Sequence, residues 1–243
     1  MHARLSVRAR TLALFAAGCI VLAAALLPPL HELSERLFTA HMIQHELLMA
    51  VAAPLLVLGA PGAILLRAFP VGARRAVASV IRSRPCRAVW RAATRPFDAW
   101  LLHAAAIWLW HVPALFERAL ENDAMHAAQH ASFLVSALLF WWSVFHPRRR
   151  AALGAAIIYL FTTAVHTAAL GALMATARVP WYPDYANHAA AWGLTALQDQ
   201  QLGGLVMWIP ASGVYLLAAL YTLRRWLRAS EWSVAQRERV TFA

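Results

Sequence analysis

HMIQHELLMAVAAPLLVLGAP, residues 41–61, decides how the rest of the chain is read. From Leu47 to Pro61 it carries no charged side chain and is apolar enough for lipid. It nevertheless opens with His41 and His45, one helical turn apart, and with Glu46 beside them. A segment bound for a bilayer has no use for two imidazoles on one face unless they pair, face a cavity or do work.

The surroundings place this segment in a membrane protein. The chain has 243 residues, of which 61% are hydrophobic and 14% charged, with a mean hydropathy of +0.55; a soluble domain is about a quarter charged. Long uncharged runs recur, and each approaches the ~20 residues needed to cross a hydrocarbon core. They predict six spans at 11–30, 37–59, 99–116, 124–145, 152–176 and 202–223. The fold class expected is therefore all-α: one transmembrane bundle over residues 1–243, with a basic loop at 67–96. Pro113 interrupts the third span, predicting a kink followed by an interfacial turn. Residues 1–27 also fit a signal peptide, but the apolar run is long and no A-x-A site precedes PPLHELSE, so a retained first span is expected.

All 22 basic residues are arginine. Arg4, Arg8 and Arg10, eight residues between Arg67 and Arg95, Arg148 to Arg150, and five between Arg224 and Arg239 fall on one side of the expected topology. The other side has only Arg36, Arg118 and Arg178, and holds Glu32, Glu35, Glu117, Glu121, Asp123, Asp184 and Asp199. The positive-inside rule puts both termini in the cytoplasm of a multi-pass protein of the bacterial inner membrane. The arginines form no nucleic-acid face, and the 67–95 loop is expected to be solvated or to face lipid headgroups. Trp181, Tyr182, Tyr185 and Trp192 of the outer loop read as an aromatic belt. Cys19 and Cys86 give neither a disulfide framework nor a CxxC clip.

On this topology the histidines gather at the outer end. HMIQH and HAAQH are both H-x-x-Q-H, each at the outer start of an inward-running helix. The i, i+4 spacing stacks His41 over His45 and His126 over His130, about 6 Å apart along the axis, close enough to share an ion. The glutamine between them is expected to fix a tautomer by hydrogen bonding. His111 ends the third span, His166 lies in the outer half of the fifth, and Asp199 and Met207 open the sixth. Interhelical hydrogen bonding alone is the plainer reading of such a cluster, and a metal site the stronger one. His41, His45, His126 and His130 are the expected ligands, with His111, His166, Asp199 and Met207 as accessory ligands or a hand-off path. Imidazole with thioethers nearby (Met42, Met49, Met125, Met174, Met207) favours copper, then zinc, although methionine is also ordinary membrane filler. Haem needs one axial histidine per helix, for which His111 and His166 qualify, and the doubled pairs argue against it. No G-x-S-x-G, Walker loop or H-E-x-x-H occurs, so no enzyme is expected.

HMIQHELLMAVAAPLLVLGAP, then WHVPALFERAL and MHAAQHASFLVSALLFWW, then WYPDY and WGLTALQDQQLGGLVMWIP, in this order over residues 30 to 225, resemble the polytopic CtaG family of cytochrome c oxidase assembly factors. The resemblance implies an inner-membrane protein that helps build haem–copper oxidase by delivering copper to its catalytic subunit. The partners implied are oxidase subunits, periplasmic copper chaperones and membrane lipid. The family's histidine pairs fall on His41, His45, His126 and His130, and its D-Q-x-x-G-G-x-x-M-W block on Asp199, Gln200, Gly203, Gly204, Met207 and Trp208. The competing classes are a copper transporter, which needs ligands continuing to the cytoplasmic half, a haem-binding protein, and a metal-free scaffold.

Overall fold

The computed structural model describes residues 2–59, 69–147 and 151–241, with side chains described over 9–59, 69–147, 153–185 and 188–228. Arg67 and Arg148 to Arg150 lie outside the described residues. Among the described residues there is no strand, and five helices are long and apolar enough to cross a membrane, or six if one bent pair counts as a span. They are α1 (His2–Leu26) and, after the short α2 (Leu30–Ser34), α3 (Phe38–Leu58). Next come α4 (Val71–Arg82) and α5 (Arg84–Ala93), the bent pair α6 (Pro96–Trp110) and α7 (Pro113–Glu121), then α8 (Asp123–Phe145) and α9 (Ala151–Ala175). The last, α10, runs from Ala196 to Val206, through a π turn at Met207–Ala211, and on as Ser212–Thr241.

Prolines shape the spans. Pro113 has no N–H, and the residue before a proline avoids helical geometry. Val112 is accordingly extended, at φ −64° and ψ 123°, and α7 departs from α6 at 76°. The kink expected at Pro113 is thus a full break. Pro54 and Pro210 leave carbonyls one turn back without a donor, and α3 and α10 each relax there into a π turn, at Leu47–Ala52 and Met207–Ala211. The π turn of α3 is tied to α8 where Trp141 Nε1 donates to the Met49 carbonyl at 2.9 Å.

Among the boundaries that differ from expectation, two have a visible cause, while the first helix also begins early, at His2, and the last runs on past residue 223 to Thr241. The first span stops at Leu26, ahead of Pro28 and Pro29. The sixth starts at Ala196 instead of 202, because Thr195 and Gln198 form a capping box that begins the helix in polar sequence. The basic loop is also more ordered than a loop: α4 and α5 are amphipathic helices with no buried residue. Trp90 of α5 touches the bundle by ring packing, edge-on to Trp142 at 5.3 Å.

Helix contacts set the arrangement. α3 and α8 run parallel, His41 beside His126 and His45 beside His130. α6 runs antiparallel to α8, with Trp110 Nε1 donating to Ser132 Oγ at 2.6 Å. α9 and α10 cross at glycines: a Cβ on Gly204 would meet Ala175 N at 2.5 Å, and one on Gly171 would meet Trp208 N at 2.6 Å. Small residues permit that approach, where dispersion rather than the hydrophobic effect holds helices together. Gly203 gives room to Phe38 of α3 in the same way. Asp199 completes the seam by capping α3 from α10. Its Oδ2 accepts from Phe38 N at 2.7 Å, and its Oδ1 from Thr39 N at 3.0 Å and Thr39 Oγ1 at 2.6 Å. A carboxylate at a helix N-terminus satisfies orphan donors and opposes the helix dipole.

Two outcomes follow for thermal unfolding in detergent. Gly204→Ala lowers the melting temperature by several degrees, as ~1–3 kcal/mol of overpacking would, whereas Gly213→Ala, where a Cβ meets nothing within 4 Å, leaves it unchanged or slightly raised. Asp199→Asn removes acceptors from the α3 cap and costs about 1.5–3 kcal/mol in the same measurement.

Candidate metal centre

The proline break at residue 113 leaves His111 as the C-cap of α6. Its Nδ1–H donates to the Ile107 carbonyl at 2.6 Å, satisfying one of the orphan acceptors of a helix end. The hydrogen bond fixes the tautomer, so Nε2 carries the lone pair, and that atom is buried without a partner. On α3, Tyr185 does the same for His41. The phenol donates to the Ser34 carbonyl at 3.0 Å, so it accepts from His41 Nδ1–H at 3.1 Å and leaves Nε2 bare. Burial, with Asp199 nearby, raises the Tyr185 phenol well above its ordinary range, which keeps it a donor. On α8, capped by Asn122 through Met125 N, His126 and His130 stand one turn apart, each with an unpartnered Nε2.

These rings meet. Centroids of His41 and His126 lie 5.3 Å apart and nearly parallel, those of His41 and His130 at 5.8 Å, and those of His126 and His130 at 4.3 Å. One ring nitrogen from each of His41, His126 and His130 lies within 4.8 Å of the others, a spacing that suits a single ion. His45 packs edge-on to His41 at 4.3 Å and against His130 at 5.3 Å, and both its nitrogens are buried without partners. His111 lies 6.0 Å from His45. Phe38, Phe116 and Tyr182 roof the cluster, with Phe116 4.8 Å from His41 and tilted against Tyr182 at 4.4 Å, and Phe38 stacked on Tyr182 at 4.7 Å. Bare imidazole nitrogens converging in one buried pocket are the donor set that copper or zinc takes.

The other expected site residues lie elsewhere. Asp199 spends its carboxylate on α3. His166 sits against α6, its Nδ1 accepting from Trp108 Nε1 at 3.4 Å and its ring 6.3 Å from Trp100. Met207, with Met42, Met49 and Met174, is buried in the apolar core. The glutamines of the two H-x-x-Q-H stretches do not orient the cluster. Gln44 donates to the Ala25 carbonyl at 2.6 Å and contacts His31, while the Gln129 amide is buried without a partner. The tautomer-fixing groups are instead a backbone carbonyl and Tyr185. The outer-loop aromatic belt needs the matching correction: Trp192 is exposed, but Tyr182 and Tyr185 fold into the core, because the loop doubles back over α3 and α7. The Pro183 and Gly193 punctuation of that loop was its signal: a turn at Pro183–Tyr185 aims the tyrosines inward, and Gly193, at φ 71°, ends it.

Comparison with known proteins agrees with this architecture. The sequence model of the cytochrome c oxidase caa3 assembly factor family (Caa3_CtaG) matches residues 1–229. Two similar relatives are the "Uncharacterized protein Mb0105" of Mycobacterium bovis and the "Uncharacterized protein MT0111" of Mycobacterium tuberculosis. Each is 28% identical over 214 residues, covering 83% of this chain and 32% of the relative. The chain thus spans about a third of the length of the curated relatives it matches. No solved structure matches it. With the family model covering nearly all of the bundle, the chain belongs to the cytochrome c oxidase caa3 assembly factors.

Proposed function

We propose that this chain binds copper as cargo at His41, His126 and His130 and passes it to the catalytic subunit of cytochrome c oxidase during assembly. The observation that carries the reading is the convergence of unpartnered ring nitrogens from α3 and α8 within 4.8 Å. Three imidazoles accept copper or zinc, and the family's tie to cytochrome c oxidase selects copper. Three ligands leave an open position, as a carrier that must release its ion requires, whereas a closed cage would hold it. His45 and His111 stand beside the trio with lone pairs to spare and form the hand-off path. The role is non-catalytic, and the ion leaves unchanged.

The arginine distribution supports the orientation: both termini in the cytoplasm of the bacterial inner membrane, and the histidine end facing the periplasm, where copper chaperones would supply the ion. α4 and α5 then lie along anionic lipid headgroups. A transporter would need ligands continuing toward the arginine-rich end. His103, the histidine placed deeper in α6, has both nitrogens occupied, Nδ1 by Ser136 Oγ at 3.2 Å and Nε2 by Tyr215 at 3.1 Å. That argues for a carrier with one mouth.

Metal analysis of protein purified in detergent tests the reading. The parent carries about one copper per chain after loading with Cu(I), and His41→Ala, His126→Ala and His130→Ala each fall below a tenth of that. Cells with any of the three variants lose oxidase activity. Full copper content in the variants would exclude these residues as ligands. Tyr185→Phe keeps the stoichiometry but binds copper roughly 10- to 100-fold more weakly in chelator competition, since it removes the group that orients His41.

A further inference from the structure

The histidine trio is buried, yet an ion must reach it. The surface beside it opens into a cavity of about 410 Å³ between α2, α3 and α8, whose lining includes His31, Glu35, Asp123, His126, His130 and Leu134. His126 and His130, each 8% exposed, are members of the trio that also line this space, with Nε2 unpartnered. His31 is stacked on His126, centroids 5.7 Å apart. Its Nδ1 is 3.4 Å from Gln44 Nε2, an amide donor, so Nδ1 accepts and Nε2 bears the proton. That Nε2 faces Glu35 Oε1 at 3.7 Å. The pair is part-exposed, with side chains 35% and 58% accessible. Asp123, in the first turn of α8, adds a second carboxylate while also opposing the helix dipole.

We infer that His31 and Glu35, with Asp123, form a separate capture site for a soft or borderline metal cation at the mouth of this cavity, from which the ion moves inward to His126 and His130. The inference rests on the copper reading above. The arriving cation takes a Glu35 oxygen and the Nε2 lone pair of the other His31 tautomer: the Nε2 proton passes through water to Nδ1, which gives up its 3.4 Å contact with the Gln44 amide, and the ring stays neutral. His31 then stands one stacked ring from His126, so the ion exchanges imidazole for imidazole without crossing apolar surface. Carboxylates at the mouth raise the local cation concentration and the on-rate, which electrostatics governs more than it governs final affinity.

The test separates rate from capacity. Protein in detergent is mixed with Cu(I) supplied as its bis-bicinchoninate complex, and both the rate of copper uptake and the final copper per chain are read. His31→Ala with Glu35→Gln is expected to slow uptake at least fivefold and to leave the final stoichiometry at the parental value. Ala127→Trp, which fills the cavity from an exposed position on α8, is expected to slow uptake likewise. Parental rates in both variants would overturn the inference while leaving the trio intact. Loss of stoichiometry in the His31/Glu35 variant would also overturn it, by making those residues part of the final site. A parent that binds no copper at all would remove the underlying reading and the capture site together.

Discussion

An imidazole nitrogen without a hydrogen-bond partner, buried away from water, is the constraint around which this bundle is organised. Each such group costs about 1–3 kcal/mol of desolvation, and a folded domain has only ~5–15 kcal/mol to spare. His41, His45, His111, His126 and His130 leave several of these atoms in one pocket. The structure does not minimise the cost. It fixes the opposite nitrogen of His41 on Tyr185 and that of His111 on Ile107, holding the bare Nε2 atoms in place. A pocket that only held helices together would turn those rings toward one another's protons. On the proposed reading, an ion that accepts several lone pairs at once would offset that cost.

The scaffold follows from how the helices are allowed to end and bend. Pro113 breaks α6 so that His111 caps it, and lets α7 swing Phe116 over the rings. Asp199 holds the start of α3, so that His41 and His45 face α8 at a set depth. Gly203 lets α10 lie close enough to Phe38 of α3 for that carboxylate to reach, while Gly171 and Gly204 bring α9 against α10 behind it. Site and packing are coupled: the residues beside the pocket that carry charge or lack a side chain are the ones that position its walls.

The spans and the histidine convergence were legible in the sequence because apolar length and i, i+4 spacing are local properties. What escaped is non-local. Nothing in the sequence said that Tyr182 and Tyr185 would turn inward, because aromatic residues at a helix end serve an interface equally well. Asp199 read as a ligand because its partner amides, Phe38 and Thr39, lie more than 150 residues away. The glutamines of the paired stretches were given an orienting role that a carbonyl and a phenol fulfil. His31 was legible only as an outer histidine, since its stacking on His126 depends on how α2 folds back. The π turns at Pro54 and Pro210 follow from missing donors, but a proline alone does not tell a kink from a bulge.

The central claim is that one ion is held by imidazole nitrogens from α3 and α8. X-ray absorption of the copper-loaded protein addresses it most directly. The account predicts a coordination shell of nitrogen scatterers with the outer-shell signature of about three imidazoles, reduced by one in His41→Ala. A shell dominated by sulfur, or one unchanged when His41 is replaced, would contradict it.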